Sequence, residues 1–278
     1  MAAFSARDVS EGDEDVTVNT TQRFSDKVAI VTGAGMGIGE AVARRLASEG
    51  ASVVIVDFDE AAARKVTSEI VALGQQAVAV IGSVSVANDA RQATKVAEDQ
   101  FGGVDYLVNN AGVVIYGEVP EFREEDWDTV MDTNLKGQYL MSKYAIPSMR
   151  SRGGGAIVNL ASVQALISQR EVAAYAASKG GIVSLTKTLA LDHAKDKIRV
   201  NAVLPGSVRT PMLRHAAELA PGDPEATVAQ WGRLHPRGTV IEPDEIANVV
   251  VFLLSDEASA VTGAPYIVDA GLSAQSAF

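Results

Sequence analysis

From Lys27 onward the sequence alternates short, continuously apolar runs rich in β-branched residues with amphipathic helical patterns. The runs are KVAIVT (27–32), SVVIVD (52–57), AVAVIG (77–82), YLVNN (106–110), AIVNLA (156–161), RVNAVL (199–204) and APYIVD (264–269). A strand that is apolar at every position has to be covered on both faces. Helical patterns near 37–49, 59–73, 86–101, 124–151, 174–194 and 243–255 supply that cover. Strand–helix–strand alternation pairs successive strands in parallel. The pattern therefore predicts an α/β fold, a single-domain Rossmann-like doubly wound parallel sheet of about seven strands with helices on both faces, over residues 25–278. The stretch 207–237 interrupts the alternation with four prolines, Arg209, Arg214 and Trp231. It reads as a substrate lid over the carboxyl ends of the strands, where ligands bind in such sheets. Residues 1–24 (MAAFSARDVSEGDEDVTVNTTQRF) form an acidic, polar N-terminal extension without periodicity, expected to be flexible or docked on a neighbouring subunit.

Composition narrows the partners. The chain has no cysteine, which excludes disulfides and thiolate metal sites. His193, His215 and His235 have no metal-ligand spacing, so no metal is expected. A formal charge of −11 argues against a nucleic acid or an anionic membrane surface. No apolar run reaches the ~20 residues of a membrane span. The N-terminus has no basic start followed by an apolar stretch, so no secretory signal is read. These features fit a cytoplasmic enzyme acting on a small molecule.

The first strand runs straight into TGAGMGIG (32–39) and then into a helix. Gly33 allows the tight turn, Gly37 lets the backbone approach a pyrophosphate, and Gly39 lets the helix pack on the strand. The helix N-terminus offers free N–H groups and a partial positive charge to the phosphates. An acid, Asp57, ends the second strand. A carboxylate there accepts hydrogen bonds from both ribose hydroxyls of an adenosine half and repels a 2′-phosphate. No base stands at Ala34, Gly35, Met36 or Phe58 to receive that phosphate. NAD is therefore the expected cofactor, rather than NADP. The other reading makes Asp57 a solvated strand-end acid or the N-cap of the next helix.

In AAYAASKGG (173–181), one tyrosine and one lysine stand among small residues. Residues four apart on a helix share a face, so Lys179 lies beside Tyr175. A free phenol, with a pKa of about 10, is a poor base at neutral pH, and a nearby ammonium is expected to lower that pKa. The pair then forms a general acid/base. Its small neighbours allow another helix, the cofactor and the substrate to come close.

The set of TGAGMGIG (32–39), Asp57, NNAG (109–112), Asn134 in MDTNLKG, Ser162 after the fifth strand, YAASK (175–179) and LPG (204–206) resembles the short-chain dehydrogenase/reductase family in order and spacing, from Lys27 to Leu272. The resemblance implies that Tyr175 exchanges a proton with the substrate oxygen. It implies that Lys179 lowers the pKa of Tyr175 and holds the nicotinamide ribose. By the same resemblance Ser162 hydrogen-bonds the carbonyl or alcohol, and Asn134 interrupts its helix to hold a water linking Lys179 to solvent. Asn109 would line the adenosine side, with Met36, Ile38, Phe58, Val84, Ala111 and Gly112 also around the cofactor. After Pro205 and Gly206, the backbone of Val208 and the hydroxyl of Thr210 would meet the carboxamide and phosphates. One departure stands out: Ser83-Val84 occupies the place of the family's Asp-Val pair against the adenine, which weakens the expectation there.

Hydride transfer between NAD and a secondary alcohol or ketone follows from the resemblance. Polar residues near the expected pocket, Gln164, Ser168, Gln169, Arg170, Arg209, Arg214 and His215, favour a sugar, polyol or other small hydroxylated substrate. The alternative is a 3-oxoacyl thioester, whose acyl carrier would call for a basic patch. A non-catalytic NAD-binding regulator or scaffold has no use for Ser162, Tyr175 and Lys179 together. The resemblance also implies a homotetramer, with the helices near 124–151 and 174–194 packed against their symmetry mates.

Overall fold

The structure, a computed structural model, describes residues 22–275. Its strands are β1 Val28–Thr32, β2 Ser52–Asp57, β3 Ala77–Ile81, β4 Tyr106–Asn109, β5 Gly155–Leu160, β6 Ile198–Pro205 and β7 Pro265–Val268. They form one seven-stranded sheet in the order β3-β2-β1-β4-β5-β6-β7, and every pairing is parallel. This is the sheet the alternating pattern predicts. The chain winds outwards in one direction from β1 to β3 and in the other from β4 to β7. The crevice outside the carboxyl ends of β1 and β4 is where such a sheet receives a ligand.

The helices are α1 Gly37–Ser48, α2 Glu60–Ala72, α3 Ala87–Phe101, α4 Glu124–Met131, α5 Gly137–Ser151, α6 Ala173–His193, α7 Pro211–Leu219, α8 Pro224–Gly232 and α9 Pro243–Leu254. Successive strand residues point to opposite faces of the sheet. Ala29, Val31, Val53 and Ile55 thus join a core with α1, α2 and α9. Val28, Ile30, Val54 and Val56 join the other core, with α3, α5 and Ala190 of α6. Full burial of both sets explains why the strands read as unbroken apolar runs. The single helical pattern at 124–151 is two helices, separated by a π turn at Asp132–Lys136. Among the described residues, no helix is long and apolar enough to cross a membrane.

The stretch 207–237 is a helix pair. α7 and α8 each begin with proline, capped by the side chains of Thr210 and Asp223. Ala217, Val228 and Val240, with Leu213 and Trp231, form a small core of their own. Two backbone stems attach the pair: Arg209 N–H donates to Ile241 O at 2.8 Å, and Ile241 N–H donates to Ser207 O at 2.9 Å.

The expected extension over 1–24 is corrected at its end, because Arg23 and Phe24 belong to the domain. The Phe24 ring is fully buried and meets Tyr106 edge-on, with centroids 5.4 Å apart. Arg23 makes two bonds to buried Glu49, at 2.5 and 2.9 Å, and one to Glu257 at 3.3 Å. One aromatic at the end of a polar stretch gives no periodic signal, so this docking was not legible in the sequence. Residues 1–21, and the flexible or docked extension expected there, lie outside the described residues. Phe24→Ala should lower the unfolding free energy by about 3–5 kcal/mol, the usual loss for a buried phenylalanine. The check is the urea midpoint at unchanged slope; an unmoved midpoint would contradict the packing of this ring into the core.

Candidate active site

The chain leaves β1 at Thr32, turns through the glycine-rich loop and enters α1. Gly37 has φ +59°, and a side chain there would press on Thr210 Cγ2 at 3.1 Å. Gly39 is needed for space alone. A Cβ at that position would lie 2.2 Å from the Gly33 carbonyl oxygen and 2.5 Å from Asn110 Nδ2. Met36, at the N-cap, makes no side-chain hydrogen bond to the first turn. The first-turn N–H groups, including those of Ile38 and Gly39, are therefore left for an anion. A cradle of bare backbone at a helix N-terminus fits a pyrophosphate.

Thr32 and Asn110 hold this cradle. Thr32 Oγ1 accepts from the N–H groups of Asn110 and Ala111, at 3.0 and 3.1 Å. Asn110 Nδ2 donates to the carbonyls of Thr32 and Gly33, both at 3.0 Å. Asn109, expected on the adenosine side, is instead buried and donates to Ser142 Oγ and Asn159 Oδ1 at 3.2 and 2.9 Å. Adjacent residues at a strand end face opposite ways, so the second asparagine of NNAG meets the loop and the first faces the interior.

Asp57 closes the far side. Its Oδ2 accepts from Gly35 N–H at 2.8 Å and its Oδ1 from Asp59 N–H at 3.0 Å. The carboxylate is thus fixed against the glycine loop, with the exposed Phe58 ring beside it. The N-cap of α2 is Asp59, not Asp57. At Ser83 the hydroxyl pairs with Ser85 Oγ at 2.8 Å, and Ser83 N–H donates to Asp89 Oδ2 at 2.9 Å. Sequence reasoning missed Asp89, six residues on, as the acid of this corner. Val84 is buried against Gly137, where a Cβ would come within 2.7 Å of its Cγ2.

Ser162 lies just beyond β5, its Oγ accepting from Gln164 N–H at 3.2 Å. Ser162 lies close enough to the Tyr175 hydroxyl to favour its phenolate. Lys179 sits one turn further along α6, buried, with Nζ 5.3 Å from the centre of the Tyr175 ring and donating to Leu160 O at 2.9 Å. Asn134, in the π turn, spends its side chain on structure. Oδ1 accepts from Val113 N–H at 2.8 Å, and Nδ2 donates to Val113 O at 2.9 Å and Ser178 Oγ at 3.0 Å. It clamps the loop after β4 onto α6. Gly112 of that loop lies close to Lys179: a Cβ there would be 3.6 Å from Nζ and 3.1 Å from Asn134 Oδ1.

The expected depression of the Tyr175 pKa is not found in the chain by itself. Burial pushes the phenol up to about 12, more than nearby Ser162 lowers it, and the neighbouring Tyr116 raises it further. Lys179 is buried too, and desolvation lowers its ammonium to about 8. Its charge lies toward the ring and Leu160 rather than supplying a dominant stabilisation of the phenolate. Desolvation of both charged forms is the effect that sequence spacing did not weigh.

This buried ammonium gives a stability prediction. Between about pH 8 and the unfolded lysine value of about 10.4, the native state releases a proton that the unfolded state keeps, so the unfolded state binds more protons and this group makes stability rise with pH. Lys179→Met should abolish that rise and raise the melting temperature at pH 7 relative to the parent, while lowering activity. Leu160 O keeps a donor in Gln138 Nε2 at 3.2 Å, so the substitution leaves no orphaned carbonyl there. Melting curves of parent and variant from pH 7 to about 10 check it; a constant difference between them would contradict the burial of a charged lysine.

The base of the helix pair completes the surroundings. Beyond Pro205, Gly206 is in close contact with Asp269 and His235, Val208 is buried, and Thr210 Oγ1 accepts from Leu213 N–H at 3.3 Å. Buried His235 accepts from Ser207 N–H at Nε2, at 3.3 Å, and its Nδ1 lies 3.2 Å from Trp231 O. Of the polar residues expected around the substrate, Gln164 and Gln169 are joined by a 3.4 Å bond from Gln169 N–H to Gln164 Oε1. Arg170 is exposed. Arg209 pairs with Glu242 at 2.9 Å, Arg214 with Glu218 at 3.5 Å, and His215 Nδ1 lies 3.7 Å from Glu218 Oε2. All three side chains are exposed. Tyr116, in the loop after β4, is half-buried, and burial raises the pKa of its phenol.

A dinucleotide cradle on a parallel sheet, with a Ser–Tyr–Lys group at the carboxyl end of β5 and the start of α6, defines a nicotinamide-dependent oxidoreductase acting on CH–OH groups. A family model described as enoyl-(acyl carrier protein) reductase matches residues 33–273. The chain is 42% identical to cyclohexanol dehydrogenase of Acinetobacter sp. (strain SE19), over 90% of this chain and 96% of that one. It is 39% identical to meso-2,3-butanediol dehydrogenase of Serratia marcescens, over 91% of this chain and 96% of that one. The structure of Thermoplasma acidophilum aldohexose dehydrogenase superposes with a TM-score of 0.84 at 36% identity, covering 93% of this chain and 98% of that one. The chain belongs to the short-chain dehydrogenase/reductase family.

Proposed function

We propose that this enzyme is an NAD-dependent dehydrogenase of small, hydroxylated secondary alcohols, and that it works as a homotetramer. The observation that carries the reading is the convergence of Ser162, Tyr175 and Lys179 beside a cradle whose far side is closed by Asp57. Ser162 holds the substrate oxygen, and Tyr175 gives it a proton in reduction or takes one in oxidation. Lys179 offers its remaining donors to the ribose. When bound, the nicotinamide supplies the hydride acceptor or donor and, in its oxidised form, a positive charge. At neutral pH the phenol is protonated, with its pKa pushed up to about 12, so the chain alone holds the acid form suited to carbonyl reduction. Alcohol oxidation requires added positive charge near the hydroxyl.

Asp57 supports NAD because a 2′-phosphate would meet a fixed carboxylate. The relatives named for cyclohexanol, butanediol and aldohexose support a small alcohol. The surface pairs of Arg209 and Arg214 leave little free positive charge there for an acidic acyl carrier, which disfavours a 3-oxoacyl thioester. The tetramer is supported by exposed apolar side chains on the expected interface helices: Trp127 on α4, Tyr139 on α5 and Leu191 on α6. The experiment is cofactor reduction with NAD or NADP across a panel of secondary alcohols, polyols and 3-hydroxyacyl thioesters. Reduction of NAD by a small alcohol is expected; turnover confined to NADP or to thioesters would reject the reading.

A further inference from the structure

The β4–β5 ladder stops at the pair Asn109–Asn159, and the two chains separate there. One runs on through Gly112, which comes close to Lys179, and the other through Ala161 to Ser162. The next N–H groups on the β4 side, those of Asn110 and Ala111, turn toward β1 and donate to Thr32 Oγ1. Leu160 O, at the end of β5, takes side-chain donors instead. Lys179 Nζ donates to it at 2.9 Å and Gln138 Nε2 at 3.2 Å, one for each lone pair of that oxygen.

Gln138 follows the π turn, in the first turn of α5, and is buried. The second hydrogen of its amide nitrogen goes to Asn109 O, also at 3.2 Å. One side-chain nitrogen therefore joins the ends of both strands at the point where their ladder stops. Turned over, the amide would set its oxygen against two carbonyl oxygens, so the site accepts one orientation only. Gln138 Oε1 has no partner among the described residues, so these two donations are the whole of its side-chain bonding. The reaction described above gives Gln138 no part.

We propose that Gln138 is a positioning residue for Lys179: by holding the Leu160 carbonyl against the end of β4, it fixes the place from which the ammonium serves the ribose and Tyr175. The inference rests on the alcohol-dehydrogenase reading above and adds a residue to its machinery. An ammonium has three N–H donors, and Leu160 O takes one of those on Lys179. The lysine stem is flexible, so the direction of the other two depends on where that carbonyl stands. A misplacement of about 1 Å in such a site is enough to cost up to about a hundredfold in rate.

The test compares the parent, Gln138→Met, Lys179→Met and the double variant. It uses NAD and whichever of cyclohexanol and meso-2,3-butanediol the parent oxidises faster. Methionine keeps the length of the side chain and removes both donors. Gln138→Met should lower kcat at pH 7 about tenfold per mole of folded enzyme. The ammonium is then held less steadily near the Tyr175 ring, 5.3 Å from its centre in the parent. The rise of kcat with pH should therefore move upward by about one unit, the same tenfold seen along the pH axis. In the Lys179→Met background the same change should lower kcat less than about twofold, since a residue acting through Lys179 has nothing left to place. Gln138→Asn keeps the amide one methylene short of the two carbonyls. It should move the profile in the same direction, and it is read in place of Gln138→Met if methionine prevents folding. A loss equal in both lysine backgrounds, or equal at every pH, would make Gln138 a tie between strands and overturn the proposal. An unchanged kcat would overturn it too. A parent inactive with NAD on both alcohols would reject the alcohol-dehydrogenase reading, and this role with it.

Discussion

Tyr175→Phe lowers kcat by at least about a hundredfold, the loss expected when a positioned acid/base is removed. The substitution keeps the ring that packs on α6 near Lys179 and deletes only the hydroxyl that faces Ser162. The dinucleotide cradle is built from other elements, β1, α1 and the end of β4, so cofactor binding should survive. The expected signature is a fall in kcat with a nearly unchanged cofactor dissociation constant, measured by steady-state kinetics and by NADH fluorescence titration. In the proposed mechanism Ser162 and Lys179 would still position the substrate oxygen and the ribose, so a residual rate rather than none is expected. Near-normal turnover would remove Tyr175 from the chemistry and revive a chain that binds a dinucleotide without using it.

The second large effect concerns the cofactor. Asp57 is held by two backbone N–H groups and cannot swing away cheaply from an incoming 2′-phosphate. Like charges 4 Å apart repel by about 4 kcal/mol at an effective dielectric constant of 20. Solvent at the exposed Phe58 edge screens part of this. Loss of hydrogen bonds from the ribose hydroxyls to the carboxylate adds roughly 1.5–3 kcal/mol each. A net penalty of about 3 kcal/mol makes kcat/KM with NADP roughly a hundredfold lower than with NAD. Asp57→Ser with Phe58→Arg should bring the two cofactors close to parity or reverse them. Serine can still accept from one of the two N–H groups, and arginine gives the phosphate a partner. Phe58→Arg alone should gain far less, because the carboxylate remains. A parent that uses NADP as readily as NAD would show that Asp57 does not select the cofactor.

What the sequence made legible was whatever depends on backbone pattern. Unbroken apolar strands, each followed by a helix, fix a parallel sheet covered on both sides, and the glycine-rich turn can be read as a cradle because it falls between a strand and a helix. The Tyr175–Lys179 spacing places both side chains on one face of α6. What was not legible depends on packing across distant segments. The choice between Asn109 and Asn110 turns on which way a strand-end residue faces. The pairings of Arg209 with Glu242, and of Arg214 and His215 with Glu218, likewise follow from the fold rather than from composition. Phe24 joins the core through Tyr106, 82 positions further along the chain as the numbering 106 − 24 gives. The direction of the Tyr175 pKa shift was misjudged for the same reason: spacing reveals proximity, and burial is a property of the whole fold.

The small core of α7 and α8 has a consequence for how such an enzyme can change. Ala217, Val228 and Val240 pack among themselves, and backbone hydrogen bonds tie the stems of the pair to the rest. A unit joined in this way is expected to open at a lower free energy than the sheet. Substitutions inside it therefore draw on a local reserve of stability, leaving that of the whole domain largely untouched. On the proposed reading selectivity is then free to drift through the helix pair, while the strands, the glycine-rich cradle and Tyr175 stay under separate and stricter constraint.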